Sequence, residues 1–243
     1  MSVKMLFTEQ SIFVKIPLAQ LGLLQSAVIY YTVMASPKKN ASKYEIVFVG
    51  RSNVGKSTLI KSLTGKPVPI GRRPGVTRRP ENLAFGDLVV TDMPGFGFMS
   101  GVKDRKQDII KTKFVRYIED HSDRIILAVL VLNGQSFTEI VDRWRGRGEI
   151  PLEVEMYQFL QELGLDVVVA VNKIDKIKDK NRDNVMDGVA ERLDILPPWK
   201  QWPDKLIPIS AKKGDVKALS GLIRSRIHEL GRDDLLGYIR LGV

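Results

Sequence analysis

The sequence predicts a three-layer α/β fold: a mostly parallel six-stranded sheet with one antiparallel edge strand and helices on both faces. Three observations lead there. Short, continuous apolar runs recur along the chain, as buried parallel strands do. Stretches with helical periodicity alternate with them. One pair of runs, Asn82 to Val90, is split by Gly86-Asp87, a two-residue hairpin turn that adds the antiparallel strand.

Taken in order, Glu45-Ile-Val-Phe-Val49 is the first strand and ends in Gly50, and Lys56 to Thr64 is the first helix. The hairpin leads into a strand at Leu88-Val-Val-Thr91. A long helix follows over Arg105 to Asp120, with Ile110, Phe114, Tyr117 and Ile118 on one side. Ile125 to Leu132 is the longest apolar run and the next strand. Asn133 to Pro151, which holds Trp144 among Arg143, Arg145 and Arg147, reads as a variable loop anchored by its tryptophan; an aromatic among arginines also suits RNA stacking. Helices over Leu152 to Leu163, Arg182 to Leu193 and Asp215 to Leu230 alternate with strands at Val167-Val-Val-Ala-Val171 and Leu206-Ile-Pro-Ile209. The tail, with Leu235, Leu236, Tyr238 and Ile239, is expected to pack on the core. The domain is therefore expected at residues 41–231, with an N-terminal extension and basic linker at 1–40 and a tail at 232–243.

Composition narrows the chemistry. The 243 residues are 44% apolar, enough for a packed core, and zero cysteines exclude disulfide scaffolds, thiolate metal sites and a cysteine nucleophile. Two histidines, His121 and His228, sit at helical positions without a ligand constellation and read as structural. The excess of 38 basic over 28 acidic residues, a formal charge of +10, favours an anionic partner such as nucleic acid, nucleotide or membrane surface. Residues 18–35 form an apolar stretch interrupted by Gln20, Gln25 and Ser26. It reads as a packed helix or as upstream sequence ahead of Met34, with a membrane anchor as the alternative. No stable membrane association is expected, and a cytoplasmic, monomeric protein is.

Gly50-Arg51-Ser52-Asn53-Val54-Gly55-Lys56-Ser57, followed by Thr58, fits G-x-x-x-x-G-K-[ST] between a strand and a helix. Glycines let backbone N–H groups wrap a phosphate at the positive helix end, Lys56 reaches the β- and γ-phosphates, and Ser57 offers a hydroxyl to Mg²⁺. This is a nucleoside triphosphate site of the P-loop NTPase type. Asp92-Met93-Pro94-Gly95 lies 92 − 56 = 36 residues beyond Lys56, at a strand's carboxyl end. There Asp92 holds Mg²⁺ directly or through water, and the Gly95 N–H meets the γ-phosphate. Gly75-Val76-Thr77, in a loop rich in Gly, Pro and Arg, offers the Thr77 hydroxyl as a further Mg²⁺ ligand on a conformational switch. The catalytic set is thus Lys56, Thr77 and Gly95, with Ser57, Thr77 and Asp92 for the metal. Asn172-Lys173-Ile174-Asp175 reads the base: a carboxylate there accepts from N1–H and the exocyclic amine of guanine, a donor pair that adenine lacks. Ile209-Ser210-Ala211, running on to Lys212, supplies a backbone N–H for guanine O6.

With these residues in view, the chain from Tyr44 to about Leu230 resembles the Era-like P-loop GTPases, and more narrowly the EngB (YihA/YsxC) family. Gly50 to Ser57, Pro74-Gly-Val-Thr77 and Asp92-Met-Pro-Gly-Phe-Gly-Phe98 carry the narrower likeness, the last with Phe where that family has Tyr. The resemblance implies a GTP-dependent factor for large ribosomal subunit assembly, with links to cell division and septation. It also implies partners in GTP, GDP and rRNA or a ribosomal large-subunit precursor. Asn53 matches the asparagine with which some relatives hold K⁺ beside the phosphates; a loop-stabilising role is the alternative. Phe96 stands where Ras-type enzymes carry a water-orienting glutamine, so hydrolysis is expected to be slow without a partner. A GTP-dependent binding module with negligible turnover is the competing class. Basic residues recur near the site at Arg72, Arg73, Arg78, Arg79, Lys103, Arg105, Lys106, Lys111, Lys113 and Arg116, and on one face they would form an RNA footprint.

Overall fold

The computed structural model describes residues 43–68, 80–95 and 104–242, and of 104–111 the backbone alone. The chain runs β1 (Tyr44–Val49), α1 (Lys56–Thr64), β2 (Glu81–Phe85), β3 (Leu88–Asp92), α2 (Asp104–His121), β4 (Ile125–Asn133) and α3 (Phe137–Arg145). It continues with α4 (Leu152–Glu162), β5 (Val167–Asn172), α5 (Asp179–Arg192), β6 (Leu206–Pro208) and α6 (Lys217–Glu229). The strands form one sheet in the order β2-β3-β1-β4-β5-β6, antiparallel only between β2 and β3. Gly86, at φ 61°, lets the two-residue hairpin close between the paired Phe85 and Leu88.

All six residues of β1 are buried, because a central parallel strand is covered on both faces. Tyr44, Ile46 and Phe48 pack with Leu59, Ile60 and Leu63 of α1 and Leu219, Ile223 and Ile227 of α6. Val47 and Val49 face the other way, toward Phe114 and Ile118 of α2, Leu160 of α4 and Met186 and Val189 of α5. This period-two division places α1 and α6 on one side of the sheet and α2 to α5 on the other. The loops after β1, β3, β5 and β6 all open at the carboxyl edge of the sheet.

At the opposite end lies a buried charge that the sequence reading passed over. Glu45, fully buried in β1, accepts hydrogen bonds from Arg124 Nε at 2.7 Å, Tyr117 Oη at 2.7 Å and the Thr91 hydroxyl. A carboxylate tolerates that position only because these donors replace its hydration. The same contacts fasten α2 to β1 and β3.

The segment 133–151 departs from the expected loop by containing α3. Phe137 and Val141, one helical turn apart, are buried with Ile140 half-buried beside them, and Arg192 of α5 grips its Asp142 through two bonds of 2.6 and 2.8 Å. Trp144 is half-buried on this helix, with the Arg147 guanidinium 5.6 Å from its ring centroid.

The tail packs on the core. Leu235 and Ile239 join the α1–α6 layer, the Arg240 N–H donates to Leu63 O at 2.7 Å, and Arg224 Nη1 donates to Leu236 O and Ile239 O. Gly65, at φ 74°, ends α1 where a Cβ would strike the Arg240 guanidinium. His121 stacks on Tyr117, while His228 is exposed and paired with Asp233. Among the described residues no helix is long and apolar enough to cross a membrane. Residues 18–35, Arg72, Arg73, Arg78, Arg79, Phe96 and Lys103 lie outside the described residues, as do the side chains of Arg105, Lys106 and Lys111; Lys113 and Arg116 are exposed on α2.

Candidate nucleotide-binding site

Gly50, at φ 145°, passes so close to β4 that an added Cβ would lie 2.4 Å from Val131 O, and Gly55, at φ 106°, would bring one 2.3 Å from Asn172 Nδ2. The spacing of these glycines is thus demanded by backbone conformation and by close approach. Between them Asn53 takes φ 63°, a left-handed position that Asn tolerates better than most residues. Gly55 precedes α1 without a side-chain cap, and the first turn of the helix contains no acidic residue. A helix start of this kind presents uncancelled N–H groups and a positive dipole end to an anion.

Lys56 is buried at the base of the loop, where its Nζ donates to Gly50 O at 3.0 Å and Arg51 O at 3.1 Å. Burial pulls its pKa below the ordinary lysine value, against the raising influence of Asp92. Asp92, at the end of β3, is shifted up by its own burial, against Lys56 and the Ser57 hydroxyl. Ser57 Oγ donates to Asp92 Oδ2 at 2.6 Å, whereas Asp92 Oδ1 is buried with no hydrogen-bond partner among the described residues. A carboxylate oxygen in need of a partner beside a hydroxyl, at the mouth of an anion-binding loop, is the hard-oxygen donor set that Mg²⁺ takes, so these residues fit that ion. Thr58 is exposed on α1, and Met93 and Pro94 are buried beyond Asp92. Gly95 lies against Ser52, whose Oγ donates to Gly95 O at 3.3 Å; a Cβ there would meet Ser52 Oγ at 2.6 Å.

The second half of the site is joined to the first by one side chain. Asn172, buried at the end of β5, donates from Nδ2 to Val54 O at 2.7 Å and accepts at Oδ1 from the Ala211 N–H at 3.0 Å. The Ala211 N–H, in the segment expected at guanine O6, is thus engaged by Asn172. Lys173, at φ 65°, donates from Nζ to Asn53 O at 2.9 Å, laying its stem across the loop. The Ile174 side chain is buried and its N–H donates to Ile209 O at 3.2 Å. Asp175 accepts from Ser210 Oγ at 2.7 Å, and that bond, aided by Lys213 and Lys176, holds its carboxyl below the usual range. Gly75, Val76 and Thr77 lie outside the described residues.

Two contributions escaped the sequence reading. The Ser210 hydroxyl orients the Asp175 carboxylate; its place directly after the last strand is the one signal it offered. Glu153, in the first turn of α4, is buried and pairs with Arg51. Its sequence context, an acidic residue at a helix start, reads as ordinary dipole complementation and gives no hint of burial.

Sheet order and loop constellation define a P-loop nucleotide-binding domain. A family model described as a 50S ribosome-binding GTPase matches residues 45–173. The chain is 58% identical over 195 residues to the "Probable GTP-binding protein EngB" of Methanosarcina mazei, covering 80% of this chain and 93% of that one. A solved probable GTP-binding protein EngB superposes with a TM-score of 0.68 at 48% identity, over 76% of this chain and 99% of that one. Aquifex aeolicus Era, in a variant bound to GDP·AlF4⁻, gives a TM-score of 0.52 at 25% identity, over 84% of this chain and 59% of that one. The chain belongs to this GTPase family, in its EngB branch.

Proposed function

We propose that the domain at residues 41–231 binds GTP with Mg²⁺ and acts as a slowly hydrolysing switch in assembly of the large ribosomal subunit. The carrying observation is the pair of hydrogen bonds made by the Asn172 amide, to Val54 O and from the Ala211 N–H, which ties the Gly50–Ser57 loop to the 210–212 segment. A guanine nucleotide spans these two loops. Its phosphates meet the Gly50–Ser57 N–H groups and Lys56, Asp175 accepts from the guanine N1–H and amine, and the 210–212 segment donates to O6. Ser57 and Asp92, with Thr77 from the loop outside the described residues, would hold Mg²⁺, which when bound offsets charge on the β- and γ-phosphates. Gly95 N–H orients the γ-phosphate. Asn53 would hold K⁺ beside the phosphates; faster GTP hydrolysis in KCl than in NaCl is the expected result.

Family membership and the +10 charge support a ribosomal target, since a nucleotide site uses only a few of those charges. The role in division and septation belongs to the same proposal, as does a cytoplasmic location. The test is co-sedimentation with large-subunit precursors in a non-hydrolysable GTP analogue against GDP. Preferential association with the analogue is expected, weakening steeply as salt rises; equal association in both states would overturn the switch. Phe96 favours a second reading, a GTP-dependent binding module with negligible turnover. Stimulation of phosphate release by added precursors separates the two.

A further inference from the structure

We propose that Glu153 is a positioning residue for the phosphate loop, acting through Arg51; the inference rests on the nucleotide reading above. Arg51 belongs to the loop, and its carbonyl is one of the two that hold Lys56 Nζ. Its guanidinium crosses to α4 and pairs with Glu153, whose side chain is 4% exposed against 21% for Arg51. Arg51 meets the carboxylate at Oε1, while Oε2 is buried with no hydrogen-bond partner among the described residues, so this deeply buried group depends on the one contact. Around the pair the loop is not backed by close packing. A cavity of about 300 Å³, walled by Arg51, Ser52, Asn53, Phe137, Ile140 and Glu153, separates it from α3 and α4. The ion pair is therefore a strut across a gap. On its other side the loop is held by Asn172 at Val54 O and Lys173 at Asn53 O.

The strut matters most once nucleotide arrives. Lys56 must then turn from the Gly50 and Arg51 carbonyls to the phosphates, and residue 51 loses that hold. The Arg51–Glu153 pair does not depend on Lys56 and keeps the start of the loop in place. Glu153 touches no nucleotide in this arrangement; it sets the shape of the backbone that does.

The experiment measures dissociation of a fluorescent GDP analogue and single-turnover GTP hydrolysis in the full chain. Glu153→Gln, which keeps the shape and removes the charge, should speed release about three- to thirtyfold. Hydrolysis of bound GTP should stay within about twofold, because Lys56 and Gly95 are untouched. Asp142→Asn, which breaks the unrelated Arg192 pair between α3 and α5, should leave release unchanged. In a cycle with Arg51→Gln the two effects should be strongly non-additive, as expected for one shared contact. Release within about twofold of wild type in Glu153→Gln, even with a lowered melting temperature, overturns the proposal, as does an additive cycle. If Glu153→Gln does not fold, Arg51→Gln alone gives the same reading, since it removes the cation at the other end of the single contact. A wild-type chain that does not bind GDP would instead overturn the nucleotide site itself, and this inference with it.

Discussion

The phosphate end and the base end of the site are built on opposite terms. At the phosphate end Lys56 and Asp92 are both buried, both shifted toward their neutral forms by that burial, and Asp92 Oδ1 has no partner among the described residues. At the base end Asn172 uses both halves of its amide, Lys173 reaches Asn53 O, and Asp175 is held ionised by Ser210. The first region holds charges at a cost that, on the proposed reading, a nucleotide and its metal would relieve. The second has its groups already paired within the protein, and on the same reading it is the template that would meet a base. So read, affinity belongs to one end and selectivity to the other.

Substitutions can break that division. Lys56→Ala should have the largest effect, lowering triphosphate affinity about 1,000-fold through loss of charge-assisted hydrogen bonds. Because a desolvated charge is removed with it, the nucleotide-free protein should melt no lower than wild type; a large drop would mean that Lys56 is structural rather than poised. Asp175→Asn should weaken GTP about 100-fold and shift preference toward xanthosine nucleotides, with the phosphate end unaltered. Competition between the two nucleotides measures it, and unchanged GTP selectivity would contradict base reading by Asp175. Asn172→Ala sits on the border between the ends. It strands Val54 O and the Ala211 N–H, so urea denaturation should show a loss of about 2 kcal/mol together with weaker binding of every nucleotide.

The smallest effect is a pH dependence. Asp92 has a raised pKa in the fold, so above its ordinary 3.8 the folded state keeps a proton that the unfolded chain gives up, and its contribution to stability falls as pH rises through that window. Lys56 has a lowered pKa, so just below its ordinary 10.5 the folded state holds fewer protons and its contribution rises with pH there. In the nucleotide-free protein Asp92→Asn should flatten the acid-side decline and extend the alkaline rise, because Lys56 loses the influence that raises its pKa. Urea midpoints across pH report both slopes.

Much of this arrangement is legible in the sequence because backbone demands leave few residue choices. Gly50 and Gly55 must be glycine where Val131 O and Asn172 press against them, and the Gly86-Asp87 turn fixes the single antiparallel strand. Continuous apolar runs reveal the central strands for the same reason that they are covered on both faces. The failures have two causes. Helix α3 does carry an apolar stripe, Phe137, Ile140, Val141 and Trp144, but it spans barely two turns among arginines and glycines, so 133–151 reads as loop. Glu45 and Glu153 look like surface carboxylates until Arg124 and Arg51 are brought to them from distant parts of the chain. Pairings of that kind are products of topology and leave no local mark.

The tail contact on α1 also has a consequence in time. The helix behind the phosphate loop is synthesised early, yet Arg240, which meets Leu63 O, emerges 240 − 63 = 177 residues later. At about 5–20 residues per second that interval is on the order of 10–35 s. During vectorial synthesis the nascent loop helix therefore waits for Leu235 and Ile239, and that layer is sealed only when residues 235–240 clear the exit tunnel.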